Sequence, residues 1–180
     1  SLDICRLGLG VGLPKKVTSA GGRYHFDDDQ QTPDTQFVTF DYGDKVIHWE
    51  GRSCQPRPVE NTRAGHGVGF YGDQGSLIID GGGYVIYDLK NKEVERVDGP
   101  QGDKEHLTNF VEAIRSGDPK GLIAPIAEGA TSTLLCHLGN ISQRVGRPVH
   151  VDPQTGRIEN DAEAAALWAR EYRKGWEPKV

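Results

Sequence analysis

The chain has 180 residues, of which 36% are hydrophobic and 26% are charged, and these proportions are typical of a folded globular domain. A chain of this length can bury about 70% of the surface that it exposes when unfolded, so a sizeable core is expected. The 21 basic and 26 acidic residues give a net charge of -5. Because the basic residues are scattered, the composition argues against nucleic acid as a partner.

The three cysteines, Cys5, Cys54 and Cys136, are odd in number and share no short spacing. This pattern argues against a disulfide framework and against a zinc site, so we expect reduced, structural thiols. No apolar run approaches the length of a membrane span. We expect no contact with a membrane and a cytoplasmic location, although an export signal would lie upstream of Ser1.

The first part of the chain predicts a short helix followed by strands. Apolar residues recur at near-helical spacing from Leu2 to Leu9, and Gly10 and Pro14 must end any helix there. We assign residues 1–14 to this connecting helix stub. Runs of β-branched and aromatic residues then predict three strands, the last two joined by a tight Gly43-Asp44 turn: Val17–Phe26, Thr35–Tyr42 and Val46–Ser53.

Four more short strands follow after a loop. The segment Cys54–Gly65 contains two prolines and few apolar residues, which predicts a surface loop. The turns between the later strands are too short for helical crossovers, so the strands of residues 15–100 should pair antiparallel. These later strands are predicted at Val68–Tyr71, Ser76–Asp80, Tyr84–Leu89 and Val94–Val97.

The segment Gly67–Gly72 satisfies the GxGxxG string of dinucleotide-binding turns. That chemistry requires a strand before the string and a helix N-terminus after it, where the pyrophosphate is held. Here Asp73, Gln74 and Gly75 follow, and another strand comes next. The pattern therefore indicates a Gly-rich hairpin and not a nucleotide site.

Residues 103–176 predict three helices. Asp103 is a candidate N-cap of the first helix, which Gly117 ends. Its apolar stripe is formed by Leu107, Phe110, Val111 and Ile114. The second helix runs from after Pro125 to near Gly146, and a strand is expected after it at Val149–Val151.

The third helix opens with a capping box formed by Asn160 and Glu163. Its spacing predicts that one face is buried, consisting of Ala165, Trp168, Ala169 and Tyr172. Strands followed by helices indicate an α+β fold. We expect one domain over residues 1–180, with a mostly antiparallel open sheet, helices packed on one face and the other face available for oligomerisation.

The segment Ala127–Arg147 carries two stripes at helical spacing. The apolar stripe consists of Leu134, Leu138, Ile141 and Val145, and the polar stripe beside it consists of Thr133, His137, Asn140 and Arg144. Two interpretations of the polar stripe are open at this point. It is either the solvated edge of an amphipathic helix or the lining of a ligand crevice.

The loop from Arg23 to Asp34 is a second candidate site. Its consecutive aspartates, among them Asp28, and the nearby His25 can accept hydrogen bonds from sugar hydroxyls, bind a cation, or lie solvated at the surface. The alternation of an EF-hand loop and its sixth-position glycine are missing. We therefore assign no metal site, and His25 and Asp28 are kept as candidate substrate contacts.

Five segments in this order resemble the C-terminal domain of the Gfo/Idh/MocA family, which includes glucose-fructose oxidoreductase and inositol dehydrogenase. The resemblance spans nearly the whole chain and is carried by LDICRLGLGVGLPKKV, VTSAGGRYHFDDDQQTPDTQ, FYGDQGSLII, HLTNFVEAIRSGDP and EGATSTLLCHLGNISQRVGRPVHVDP. It implies an NAD(P)-dependent oxidoreductase that acts on sugars, polyols or their derivatives. It also implies a separate N-terminal Rossmann domain as partner and homo-oligomers formed through the open sheet.

The resemblance assigns the catalytic groups to residues outside this chain. The family's cofactor-binding glycines and its Glu-Lys-Pro lysine belong to the Rossmann domain, and Asp3 fits an HxxD pattern whose histidine precedes Ser1. We therefore expect no cofactor binding and no turnover by the chain alone. The substrate contacts that the resemblance favours are His137 and Asn140, with Thr133 and Arg144 beside them. The alternative is a non-catalytic sugar-binding or dimerisation module.

Overall fold

The structure, a computed structural model, describes residues 1–55, 66–99 and 102–177. The chain divides into two compact units. The first unit comprises Ser1–Gly10 and Gln55–Ser132, and the second comprises Val11–Cys54 and Thr133–Val180. Each unit contains an antiparallel sheet, and together with the helices this confirms the α+β fold class.

The helices and strands follow the order that the sequence predicts, except for strand β9 and the 3-10 helix, which the sequence analysis did not predict. The four helices are α1 (Leu2–Leu9), α2 (Asp103–Ser116), α3 (Ile126–Val145) and α4 (Ala162–Ala166), with a short 3-10 helix at Pro119–Gly121. The nine strands are β1 (Lys16–Gly22), β2 (Thr35–Asp41), β3 (Val46–Arg52), β4 (Val68–Gly72), β5 (Gly75–Asp80), β6 (Gly83–Tyr87), β7 (Glu93–Val97), β8 (Val149–Val151) and β9 (Ile158–Glu159). These elements are those of the described residues.

The core of the second unit lies between its five-stranded sheet, in the order β3-β2-β1-β8-β9, and helix α3. Alternate residues of β2, Val38 and Phe40 among them, are buried, as the period of a half-buried strand requires. Leu135 and Leu138 of α3 are fully buried in this unit. Gly139 permits the close approach of helix and sheet, because a Cβ there would lie 3.2 Å from Val38 Cγ1.

The other face of the five-stranded sheet carries exposed apolar side chains. Phe37 lies between the buried residues of β2 and is 50% exposed, and Val46 at the start of β3 is 46% exposed. The sequence pattern therefore gives the correct alternation for this hairpin, in which Phe40 pairs with Ile47.

The first unit contains the four-stranded sheet β4-β5-β6-β7 with helix α1 against β4. Gly8 of α1 lies directly on the Phe70 ring, where a Cβ would be 2.3 Å from Phe70 Cζ. Helix α2 belongs to the same unit, and none of its residues is buried. Its predicted apolar stripe is exposed, with Leu107 at 62% and Phe110 at 53%.

The GxGxxG string lies on a hairpin, as predicted. Strand β4 turns directly into β5, with Val68 paired to Ile79 and Gly72 paired to Gly75. Gly75 adopts a φ of 151°, and a Cβ there would lie 2.1 Å from the carbonyl oxygen of Tyr87. The glycine at this turn is thus required for the close approach of β6.

Two predicted boundaries are wrong by a few residues, and one predicted loop lies largely outside the described residues. Strand β1 ends at Gly22 and not at Phe26, because the backbone N–H groups of residues 24–26 bind the side chain of Asp34. Helix α2 has Gly102 at its N-cap, so Asp103 is its first helical residue. The predicted surface loop from Cys54 to Gly65 lies, from residue 56 onward, outside the described residues.

The prediction for the last helix is wrong in length, cap and buried face. Helix α4 has five residues and is capped by Asp161, whose Oδ1 accepts a hydrogen bond from Ala164 N–H at 3.0 Å. Asn160 adopts a positive φ of 55° and so ends the preceding strand instead of capping the helix. Ala164 is the buried residue of this helix. The predicted buried residues Ala165, Ala169 and Tyr172 are exposed, and Trp168 is half-buried.

Candidate functional site

A small polar pocket of about 210 Å³ lies in the second unit. One wall is the end of β1 and the loop after it, and the other wall is the last part of α3. The pocket is lined by Gly22, Arg23, Gln31, Thr32, Pro33, Asn140, Gln143 and Arg144. The structure thus brings the loop from Arg23 to Asp34 and the polar stripe of α3, the two candidate regions, to one place.

The loop is held in shape by the buried carboxylate of Asp34. Its Oδ2 accepts hydrogen bonds from the N–H groups of residues 24–26 at 2.9, 2.9 and 3.2 Å. Its Oδ1 accepts one from the Thr35 hydroxyl at 2.9 Å. These bonds, first the one from His25 N–H, lower the pKa of Asp34 to about 2, because they favour the ionised carboxylate.

Arg23 closes the same loop with its guanidinium group. Its Nη2 donates to Asp28 Oδ1 at 2.6 Å and to the Phe26 carbonyl oxygen at 2.8 Å. Its Nη1 donates to the carbonyl oxygens of Asp28 and Gln30. The charge of Arg23 is therefore balanced by Asp28, and its hydrogen-bonding capacity is used within the loop.

Helix α3 is fixed against β1 by two polar side chains. Ser142 is fully buried, accepts from Ser19 N–H at 3.0 Å and donates to the Arg147 carbonyl oxygen at 2.8 Å. Gln143 donates to the Gly21 carbonyl oxygen at 2.7 Å and accepts from the Ser19 hydroxyl at 3.1 Å. Because Ser19 and Gly21 lie on β1, their bonds to α3 set the distance between the two pocket walls.

Asn140, Arg144 and Gln31 are the pocket residues whose polar side chains have no hydrogen-bonding partner within the part of the chain that the structure describes. Asn140 is half-buried and Arg144 is exposed, one helical turn apart on α3. An amide and a guanidinium group that are free in a polar pocket can bind hydroxyl, carboxylate or phosphate groups.

The remaining candidate residues lie outside this pocket. Thr133 and His137 are exposed on the earlier turns of α3, and neither lines the pocket. His25 is exposed and packs edge-on against the Phe26 ring, with 4.8 Å between the ring centroids. Asp28 does not line the pocket, and its carboxylate binds Arg23. Of the six candidates, Asn140 and Arg144 are thus brought together.

Sequence reasoning selected the loop from Arg23 to Asp34 as a region but not its individual pocket residues Arg23, Gln31, Thr32 and Pro33. It did not select Gly22 and Gln143 at all. The loop residues carry no periodicity, so their meeting with α3 depends on the path of the chain between Gly22 and Thr35. For helix α3, the sequence does contain one signal that indicates polar contacts. Gln143 and Ser142 sit beside the apolar stripe, at positions where a polar residue must find a partner.

The first unit holds a larger groove of about 1050 Å³ between α1 and its sheet. Its lining is mostly apolar and includes Ile4, Leu7, Phe70, Leu77 and Ile86.

Among the described residues there is no group of three or more His, Cys, Asp and Glu that can bind a metal. Within those residues, too, no helix combines the length and the apolar character that crossing a membrane requires.

No protein-family model matches the chain, and no curated protein matches its sequence. Solved structures do match its fold. A candidate oxidoreductase from Klebsiella pneumoniae aligns with 92% of this chain and 49% of its own, at 17% identity and a TM-score of 0.60. A candidate oxidoreductase from Bacillus subtilis aligns with 84% of this chain and 49% of its own, at 16% identity and a TM-score of 0.59.

A myo-inositol dehydrogenase from Corynebacterium glutamicum aligns with 84% of this chain and 47% of its own, at 18% identity and a TM-score of 0.51. The chain thus spans about half the length of the solved structures that it matches. At these identities the likeness shows the fold alone. The described fold is therefore shared with about half of each of these chains.

Proposed function

We propose that the chain is the substrate-holding part of an NAD(P)-dependent oxidoreductase of the Gfo/Idh/MocA family, acting on a sugar, a polyol or a derivative. The observation that carries this proposal is the pocket in which Asn140 and Arg144 meet the loop after β1. The family resemblance of the sequence predicts both residues as substrate contacts. The likeness of the fold to half of a dehydrogenase chain supports the same assignment.

The pocket offers hydrogen-bonding groups that suit a polyhydroxyl compound. The amides of Asn140 and Gln31 carry donors and acceptors, and the Thr32 hydroxyl lies beside them. The Thr32 oxygen accepts from the Gln30 amide at 2.9 Å, which leaves its own proton for a ligand. The pocket, at about 210 Å³, is smaller than the roughly 300–1,000 Å³ of sites for drug-sized ligands, so a single sugar ring or a smaller polyol fits its scale.

The GxGxxG string does not fit a dinucleotide. The backbone of the GxGxxG string pairs with β5, with Gly69 opposite Ile78, so its N–H groups do not converge on a phosphate. In this proposal the nicotinamide cofactor and the catalytic lysine belong to a preceding Rossmann domain, and the histidine of the HxxD pattern lies directly before Ser1. The part of this chain is to bind and orient the substrate.

Substrate binding is tested by isothermal titration of the 180-residue chain with myo-inositol and D-glucose. Asn140→Ala should weaken binding about 2- to 10-fold, the loss of one hydrogen bond. Thr108→Ala is the control, because Thr108 is exposed on α2 outside the pocket and should leave the affinity unchanged. Equal losses in both variants, or no effect of either, would contradict the assignment of the pocket.

Catalysis is tested by incubating the chain with NAD or NADP and a panel of polyols. We expect no reduction of the cofactor at 340 nm, because the chain supplies the substrate contacts and not the hydride acceptor site. A measurable rate would overturn this division of roles. The proposal also expects that the coding region upstream of Ser1 encodes a Rossmann domain with a Glu-Lys-Pro segment.

A second candidate function is a non-catalytic sugar-binding or dimerisation module. The exposed Phe37 and Val46 on the open face of the five-stranded sheet favour self-association through that face, which we also propose for the oxidoreductase. If the coding region upstream encodes no Rossmann domain, the module is the better assignment. Phe37→Lys should then lower the molar mass measured by light scattering.

A further inference from the structure

The pocket of the second unit has an unbalanced positive charge. Two guanidinium groups line it, those of Arg23 and Arg144, and none of its eight lining residues is acidic. The Arg23 charge is balanced by Asp28 at 2.6 Å within the loop. Arg144 has no such partner among the described residues, so its charge is available to a ligand.

The free charge is placed beside neutral hydrogen-bonding groups. Asn140 precedes Arg144 by one turn of α3, and Thr32 and Gln31 lie on the facing loop. Side-chain amides and hydroxyls are sufficient to bind the neutral hydroxyl groups of a ligand. A guanidinium group, in contrast, binds a planar or tetrahedral anion through paired N–H donors. The combination therefore suits one ligand that carries both hydroxyl groups and an anionic group.

We propose that the pocket binds an anionic monosaccharide, with Arg144 on its carboxylate or phosphate and Asn140 and Thr32 on its hydroxyl groups. This inference rests on the proposed function, because it takes the pocket to be the substrate site. It narrows the substrate class from sugars and polyols in general to those with an acidic group.

The two pocket walls are fixed before the ligand arrives. Ser142 and Gln143 tie α3 to β1, and Asp34 holds the loop, so Asn140 and Thr32 face the pocket from braced elements. Arg144 itself is exposed and gains its ion pair in the presence of water. Its contribution should therefore be moderate and should fall as the salt concentration rises.

The test is a titration of the 180-residue chain with D-glucuronate, D-glucose 6-phosphate, D-glucose and inorganic phosphate. We expect one of the two anionic sugars to bind about tenfold more tightly than glucose. Arg144→Gln should remove this preference, so that the variant binds the anionic sugar no more tightly than it binds glucose. Arg144→Lys should lose part of it, because an ammonium group cannot donate in a bidentate manner. Arg115→Gln, which removes the same charge from α2 in the other unit, should change nothing.

Each outcome decides a different point. Tighter binding of glucuronate assigns a carboxylate, and tighter binding of glucose 6-phosphate assigns a phosphate. Equal binding of charged and neutral sugars would overturn the anionic class while the proposed function stands. Binding of inorganic phosphate as tight as that of the sugar phosphate would reduce the pocket to a plain anion site, and no binding of any sugar would overturn both proposals.

Discussion

Helices α2 and α3 carry equally clear apolar stripes in the sequence but have opposite surroundings in the structure. Leu135 and Leu138 of α3 are fully buried in the second unit. In α2, Leu107 and Phe110 are more than half exposed, and no residue of the helix is buried. Periodicity therefore identifies the apolar face of a helix, but it does not say whether another element covers that face.

Small and polar residues on α3 explain part of this difference. Gly139 lets the helix approach Val38, and Ser142 pairs with the backbone of β1 at Ser19. Within the described ranges, no side chain of α2 forms a bond of this kind with a strand. Its side-chain contact beyond the helix itself is Asn109, which binds the backbone around the short 3-10 helix.

The largest expected effect is on the core of the second unit. Leu138→Ala removes a fully buried side chain and should lower the free energy of unfolding by about 2–5 kcal/mol. Leu107→Ala removes the same atoms from the exposed face of α2 and should change it by less than about 0.5 kcal/mol. Urea denaturation of both variants measures the two values. Equal losses would show that the stripe of α2 is covered in solution.

A smaller effect is expected from the buried hydroxyl that joins α3 to β1. Ser142→Ala leaves the Ser19 N–H without its acceptor and should cost about 1–3 kcal/mol in the same measurement. Ser116→Ala is the matched control on α2, since that hydroxyl donates to a carbonyl oxygen of its own helix in an exposed position. An unchanged stability of Ser142→Ala would mean that the hydroxyl does not set the position of α3.

The fold was largely predictable because its strands and helices are bounded by glycine, proline and alternating apolar residues. The Gly43 turn, the hairpin at Gly72 and the end of α2 at Gly117 all occur where the sequence places them. Half of the polar stripe of α3 lines a pocket, because Asn140 and Arg144 lie where the loop passes. The loop itself was not predictable in detail, since Asp34 and Arg23 shape it through bonds that have no sequence periodicity.

The same loop gives the stability of the second unit a pH dependence. The pKa of Asp34 is lowered to about 2 in the folded chain, whereas an unfolded aspartate titrates near about 3.9. The ionised carboxylate thus stabilises the folded loop fully above the unfolded value, and this contribution is lost as the pH falls toward 2.

Thermal unfolding curves recorded at intervals of about half a pH unit between pH 5 and pH 2 test this contribution. The wild-type chain should lose stability more steeply than Asp34→Asn on acidification, because the variant has no carboxylate to protonate at this position. Asp118→Asn is a suitable control, since Asp118 caps only the exposed 3-10 helix at Lys120 N–H. Parallel curves for the wild type and Asp34→Asn would remove Asp34 as the anchor of the loop.

The smallest expected effect concerns the polar attachment of α2. Asn109 Nδ2 donates to the Gly121 carbonyl oxygen at 2.8 Å, and its Oδ1 accepts from Ile123 N–H at 3.0 Å. Because these bonds are near water, Asn109→Ala should cost only about 0.5–1 kcal/mol in global stability. Locally it should speed amide hydrogen exchange at Ile123, while exchange in β1 and β2 stays unchanged. Loss of protection in those strands as well would mean that α2 and the second unit unfold together. The two helices would then differ in the exposure of their apolar stripes but not in the cooperative unit with which they unfold.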